Sequence, residues 1–156
     1  MYYSKKLVAS HLTLFIGGNH EVSQYLSENY NGALLCPNIY FMGYSNVFHI
    51  AKGCYRLSIG GFSGIYQQDM FNKLYAEFPI TNHKINTENK IRDHEIAKLF
   101  MIDKEIDIFM SHDWPRYIWK DNLGELLKKK PFFEEDIEKD RFANLGAYIL
   151  LKKLKP

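Results

Sequence analysis

The chain has 156 residues, which is enough for one domain with a sizeable core and leaves no room for two. Hydrophobic residues make up 46% and charged residues 24%, proportions typical of a globular domain, and a net charge of +2 demands no polyanionic partner. No run of about 18 apolar residues occurs and the first residues lack the apolar centre of a signal peptide, which argues against a membrane span or a secretory signal.

The first predicted strand is the apolar run at residues 12–16, which leads into Gly17-Gly18-Asn19-His20-Glu21. A helix-compatible stretch follows at 21–27. Three more strands are then predicted from short apolar runs bounded by turn residues, at 37–43, 47–50 and 56–59. The last two are expected to pair through a turn at Lys52-Gly53.

An irregular region begins at Gly60-Gly61-Phe62-Ser63-Gly64, where three glycines allow sharp bends and close backbone approach. Residues 66–88 are polar, aromatic and aperiodic, and such a long loop in a compact domain is usually functional or mobile. Beyond it the pattern predicts a helix, a buried strand and three helices, at 91–102, 106–110, 123–130, 132–139 and from Asn144 or Gly146 to Leu154. The triple lysine 128–130 is interpreted as a solvated face, with a phosphate contact as the alternative.

Two of these strands end in side chains that are competent to bind metal. The first is followed by Asn19 and His20, and the strand at 106–110 is followed by Ser111-His112-Asp113. Short apolar runs of this kind favour strands buried on both faces of a parallel sheet, where function gathers beyond the carboxyl ends. We therefore predict that both motifs meet at one rim of one sheet. Taken singly, His20 could be an ordinary loop residue and His112 a core hydrogen-bonding residue.

Four stretches together resemble the RNA lariat debranching enzymes, a family of calcineurin-like metallophosphoesterases. They include Gly17-Gly18-Asn19-His20-Glu21 and Ser111-His112-Asp113-Trp114-Pro115-Arg116, and the four span residues 15–21, 37–40, 59–66 and 107–116. The resemblance implies an α/β fold with a layered sheet core and flanking helices. It also implies hydrolysis of the 2′,5′-phosphodiester at the branch point of excised intron RNA, in the nucleus, with divalent metal ions (Fe, Zn or Mn).

Residue roles follow from the same resemblance. Asn19 and His112 correspond to metal ligands, and His20 to the residue at the scissile phosphate, where an imidazole could protonate the departing 2′-oxygen. The loop at about 66–92 corresponds to a lariat-recognition loop. Substrate-binding roles are expected for three residues, Tyr66, Arg92 and Arg116.

The chain also departs from the family pattern, because it contains neither the early Asp-x-His or Cys-x-His, nor the Gly-Asp, nor the late His-x-His. We therefore interpret residues 1–156 as the central part of an incomplete catalytic domain that lacks its first and last catalytic strands. Replacement ligation by other histidines (His11, His49, His83 or His94) is not expected. The alternatives are a catalytically incomplete remnant with at most RNA-binding ability and, more weakly, a phosphoesterase with another substrate.

Overall fold

The computed structural model describes residues 2, 4–21, 23–80 and 85–156. Within these ranges the chain forms six β-strands and six α-helices, linked by loops and short 3-10 turns. In chain order they are β1 (Thr13–Phe15), α1 (Ser23–Glu28), β2 (Ala33–Cys36), β3 (Ile39–Phe41), β4 (Ser45–Lys52), β5 (Tyr55–Phe62), α2 (Gln68–Phe71), α3 (Asp93–Phe100), β6 (Ile108–Ser111), α4 (Leu123–Lys129), α5 (Glu134–Glu138) and α6 (Leu145–Leu154). No helix in the described ranges is long and apolar enough to cross a membrane.

The strands form two mixed sheets of three strands each. In the first, in the order β1-β3-β2, β1 runs parallel to β3 and β2 runs antiparallel to it. In the second, in the order β4-β5-β6, β4 and β5 form an antiparallel hairpin and β6 runs parallel to β5. Gly53 closes the hairpin at a φ of +62°, a conformation that glycine adopts at no steric cost.

The main core lies between the second sheet and helices α3 and α6. Its buried residues come from both helices, the sheet and the segments that join them: Phe62, Ile91, Ile96, Leu99, Ile106, Ala147, Leu150 and Leu154. Helix α6 begins where the side chain of Asn144 accepts a hydrogen bond from the Ala147 amide at 3.0 Å, a standard N-cap. A smaller cluster of Leu26, Phe41 and Tyr44 lies against the first sheet.

The predicted elements are present, with shifted boundaries. The helix expected at 91–102 is α3, and the strand expected at 106–110 begins two residues later, as β6. The structure corrects the prediction of one parallel sheet, because β1 and β6 belong to different sheets. The loop after residue 66 contains the short helix α2 and a 3-10 turn at Ile85–Thr87; its residues 81–84, which include His83, lie outside the described ranges.

Candidate functional site

The loop that follows β1 is held against the end of β5 by two hydrogen bonds. The Gly17 amide donates to Ser63 Oγ at 2.9 Å, and the Gly64 amide donates to the Gly17 carbonyl at 2.8 Å. Gly17 and Gly18 are buried, whereas Asn19 and His20 are exposed. The sheets therefore adjoin at this point, and the two polar side chains project at the surface.

Ser63 connects three chain segments at this junction. Its hydroxyl accepts from the Gly17 amide and donates to the Gly43 carbonyl at 2.5 Å, and the residue is only 6% exposed. Ser63→Ala should therefore lower the free energy of unfolding by about 2 kcal/mol, because it leaves a buried donor and a buried acceptor unpaired. Urea unfolding measures this loss. Ser58→Ala, which removes an exposed hydroxyl that contacts His49, is the matched control; an equal loss in both variants would contradict the assignment.

Gly18 brings the two strand-end motifs together. Its amide donates to the Glu21 carboxylate at 2.5 Å, which fixes the turn. On its other side lies the imidazole of His112, so close that a Cβ placed on Gly18 would overlap ring atoms Cδ2 and Nε2 and lie 3.0 Å from Cγ. His112 thus lies directly beside the residue that precedes Asn19, although the two come from different sheets.

A carboxylate follows His112 and ties it to the next loop. Asp113 Oδ1 lies 3.7 Å from His112 Nδ1, and Asp113 Oδ2 accepts a hydrogen bond from the Tyr66 amide. Burial raises the pKa of the Asp113 carboxyl above its ordinary value, and the Tyr66 hydrogen bond and the nearby His112 offset part of this effect. Tyr66 is therefore held beside His112 at the start of the loop that follows Gly64.

These residues line one side of a cleft of about 410 Å³. The opposite side comes from the segment after α4, and the lining comprises Tyr66, His112, Asp113, Trp114, Lys130, Phe133, Arg141, Phe142 and Ala143. Of the predicted site residues, the structure brings Tyr66 and His112 to this cleft, and the Gly18 contact places Asn19 and His20 next to it. Such a cleft at the ends of strands is a suitable place for a ligand.

Arg92 lies elsewhere, in the interior. It is 1% exposed, and its guanidinium donates to the carbonyls of Thr87 and Lys90 at 3.0 and 2.9 Å and lies over the Tyr75 ring at 4.7 Å from the centroid. Its side chain thus braces the end of the loop before α3 from inside. The predicted substrate contact requires an accessible guanidinium, which the structure does not provide.

Arg116 is also buried, with an exposure of 8%. Its Nη1 lies 3.2 Å from Asp140 Oδ2, and its backbone amide donates to the Asn144 carbonyl at 3.0 Å. This side chain therefore links the segment after β6 to the turn before α6. Like Arg92, it has a structural environment rather than the open one that the substrate-binding prediction needs.

The described residues do not complete a metal site. Asn19 and His112 offer one amide oxygen and one imidazole nitrogen, which suit ions such as Zn and Fe. Structural and catalytic metal sites need at least three protein ligands as a rule, and no group of three or more His, Cys, Asp or Glu side chains with suitable placement occurs in the part of the chain that is described. Three further histidines of the described ranges have other neighbours: His11 and His49 contact Ser10 and Ser58, and His94 lies beside Asp93 and Glu95.

Sequence reasoning missed most of the cleft. Asp113 was visible in the same motif as His112, and its position directly after a predicted strand end was the available signal. The far side, with Lys130, Phe133 and Arg141, comes from a helical segment more than a dozen residues downstream. No motif marks these residues, since a chain turn brings them to the cleft.

The chain is similar in sequence to lariat debranching enzymes. The chain is 42% identical over 158 residues to the lariat debranching enzyme of Homo sapiens, 40% over 157 residues to that of Arabidopsis thaliana, and 40% over 161 residues to that of Saccharomyces cerevisiae. Each comparison covers 99% of this chain, and it covers 28%, 37% and 39% of the respective relative. No protein-family model matches the chain.

The chain therefore spans between a quarter and two fifths of the length of these curated relatives. The compared span is 99% of this chain, so both strand-end motifs lie within it. Over nearly its whole length the chain is thus similar to one segment of lariat debranching enzymes.

Proposed function

We propose that this chain, as a segment related to lariat debranching enzymes, contributes the Asn19, His20 and His112 side of a site that hydrolyses the 2′,5′-phosphodiester of branched RNA. The observation that supports the proposal most directly is the contact between Gly18 and the His112 imidazole. That contact unites at one surface two loops that follow the carboxyl ends of strands in different sheets. Excised intron lariats would be the substrate, and the nucleus the place of action.

The roles of the chain's own residues follow from their exposure and chemistry. His20 is exposed at the tip of the loop, and an imidazole there can deliver a proton to the 2′-oxygen as it leaves phosphorus. Asn19 and His112 would hold one edge of a divalent metal site for Fe, Zn or Mn; these two ligands do not complete the coordination, and we assign no chemical step to the ion. Tyr66, whose amide donates to Asp113 and which lines the same cleft as His112, would contact the RNA.

The proposal extends to the fold. We infer that residues 1–156 form the central part of a calcineurin-like catalytic domain, with the loop at about 66–92 as its lariat-recognition loop. Two mixed sheets with helices α3 and α6 packed on one of them support this assignment at the level of an α/β fold. The buried Arg92 then anchors the loop from inside, and RNA contacts are left to its exposed residues.

A second candidate function is RNA binding without cleavage. It is favoured by the incomplete set of metal ligands, since the described residues bring together Asn19 and His112 but no third candidate ligand. A site that binds phosphate and bases could persist without metal-dependent hydrolysis.

Incubation with branched RNA separates these functions. We expect a full-length protein that contains this segment, with Mn²⁺ present, to release the 2′-linked branch from a branched oligonucleotide and to leave a linear 3′,5′-linked RNA of the same composition intact. Gel electrophoresis detects cleavage, and NMR signals of Asn19, His20 and His112 report binding of the same branched RNA. Binding at these residues without cleavage would support the second function, and cleavage of both RNAs or binding elsewhere would overturn the substrate assignment.

A further inference from the structure

We propose that Trp114 and the two lysines at the end of α4, Lys129 and Lys130, bind an unpaired RNA segment as it leaves the phosphate site at His112. This inference rests on the proposed function and adds a second binding surface to it. We call the surface formed by Trp114, Lys129 and Lys130 the Trp114 ridge.

The ridge separates two clefts. One is the 410 Å³ cleft that contains His112 and Tyr66. The other, of about 550 Å³, lies on the opposite side and is lined by Ile118, Trp119, Asn122, Glu125, Leu126 and Lys129. Trp114 and Lys130 line both clefts. A chain that enters beside His112 and continues along the surface would therefore pass over this indole and this ammonium group.

Trp114 is built as a fixed platform. Its carbonyl accepts from the Asn144 amide at 2.9 Å, and its ring meets Phe142 edge-on with centroids 6.3 Å apart. Phe142 in turn packs against Phe133 at 4.4 Å. Even so, Trp114 is 53% exposed. An indole supported from one side and open on the other provides the stacking surface that proteins use for unpaired bases.

The lysines supply the charge for the backbone of such a strand. Among the ion pairs formed by the described residues, neither Lys129 nor Lys130 takes part, whereas Lys98 and Lys139 each pair with a glutamate. Lys130 Nζ lies 5.7 Å from the centroid of the exposed Phe132 ring and remains accessible. Two carboxylates line the clefts, Asp113 in the first and Glu125 in the second, and among the described residues neither forms an ion pair with Lys129 or Lys130. Phosphates are therefore expected at the lysines.

The position of the ridge favours RNA over a protein partner. It adjoins the candidate phosphate site, and the combination of one open aromatic face with unpaired lysines matches the chemistry of single strands, in which bases stack and phosphates meet cations. The lysine run 128–130 was interpreted from the sequence as a solvated face. Under this proposal its last two residues bind RNA phosphates.

Fluorescence provides the test, because Trp114 and Trp119 are the two tryptophans of the chain. In a Trp119→Phe background, a linear oligouridylate added without metal should quench the emission of Trp114 as a base stacks on it. Trp114→Ala should weaken binding of the same RNA, labelled and followed by anisotropy, about tenfold, and Trp114→Phe should restore part of the affinity. Tyr55→Ala, which removes an aromatic ring that is 80% exposed at the start of β5, is the matched control and should bind as the parent does.

The lysines are tested by salt dependence. A Lys129→Ala and Lys130→Ala double variant should lower the slope of log affinity against log salt, whereas removal of the exposed Lys52 and Lys104 should not. The proposal would be overturned if RNA did not quench Trp114 emission, or if the control variants lost as much affinity as the ridge variants. It would also be overturned if acrylamide failed to quench Trp114 before RNA is added, because that would mean that protein covers the ridge. Linear RNA without metal also distinguishes this inference from the proposed function. Normal branch cleavage without binding at the Trp114 ridge would reject only this inference. Binding at the ridge without branch-specific binding or cleavage would reject only the proposed function.

Discussion

In a full-length protein that contains this segment, Gly18→Ala is expected to slow cleavage of branched RNA about a hundredfold, because a Cβ at this position would occupy the space of the His112 imidazole. The ring atoms that it would meet belong to a side chain whose Nδ1 already lies 3.7 Å from Asp113 Oδ1. His112 must therefore rotate away or the Gly18 loop must move. Either movement separates the imidazole from Asn19 and His20, the two residues next along the chain.

The prediction is measured by two quantities. Initial cleavage rates give the functional loss, and the NMR signals of the His112 ring report its displacement without any need for catalysis. Gly124→Ala is the matched control, because no atom lies within 4 Å of its added Cβ and alanine favours the helix α4. A Gly18→Ala protein with an unmoved His112 ring and parental rate would show that the two motifs do not depend on this contact.

Arg92→Met is expected to lower the free energy of unfolding by about 3 kcal/mol. Methionine retains an apolar stem for the buried position, but it loses the charge-assisted hydrogen bonds to the Thr87 and Lys90 carbonyls and the contact with the Tyr75 ring. Burial raises the pKa of the Tyr75 phenol above its ordinary value, so this ring stays neutral beside the guanidinium. The end of the loop before α3 would lose its internal support.

Urea unfolding measures this loss, and Arg56→Met is the matched control because Arg56 is exposed on β5. We expect the affinity for RNA of folded Arg92→Met protein to fall less than its stability. The opposite result, a stable protein that no longer binds branched RNA, would return Arg92 to the substrate-binding role that the family resemblance implied.

Local patterns in the sequence sufficed for most elements. The β4–β5 hairpin follows from two apolar runs around Lys52-Gly53, and α4 ends one residue short of the predicted boundary, ahead of Pro131, which cannot continue a helix. Sheet membership could not be predicted in this way. Periodicity identifies a strand but not its partner, and β1 pairs with β3 while β6 pairs with β5.

The candidate site likewise contains residues that could be predicted from local sequence and residues that could not. Asn19, His20 and His112 were predicted because each belongs to a motif that directly follows a strand, and the structure brings their loops together. Burial of Arg92 and Arg116 could not be predicted, since arginine is mostly exposed and is buried only where carbonyls, carboxylates or rings from distant segments receive it. The far side of the cleft depends on the same kind of long-range packing.

The sequence by itself identified Asn19, His20 and His112 as the candidate site residues, because each belongs to a short motif that directly follows a predicted strand. Only the tertiary structure decided that these motifs share a surface, since that depends on Ser63 tying Gly17 to Gly43 and on the absence of a side chain at Gly18. It likewise decided that two arginines are internal supports while Trp114 remains open to solvent. Such outcomes depend on which distant groups meet, and distances between groups are set by packing of the whole chain.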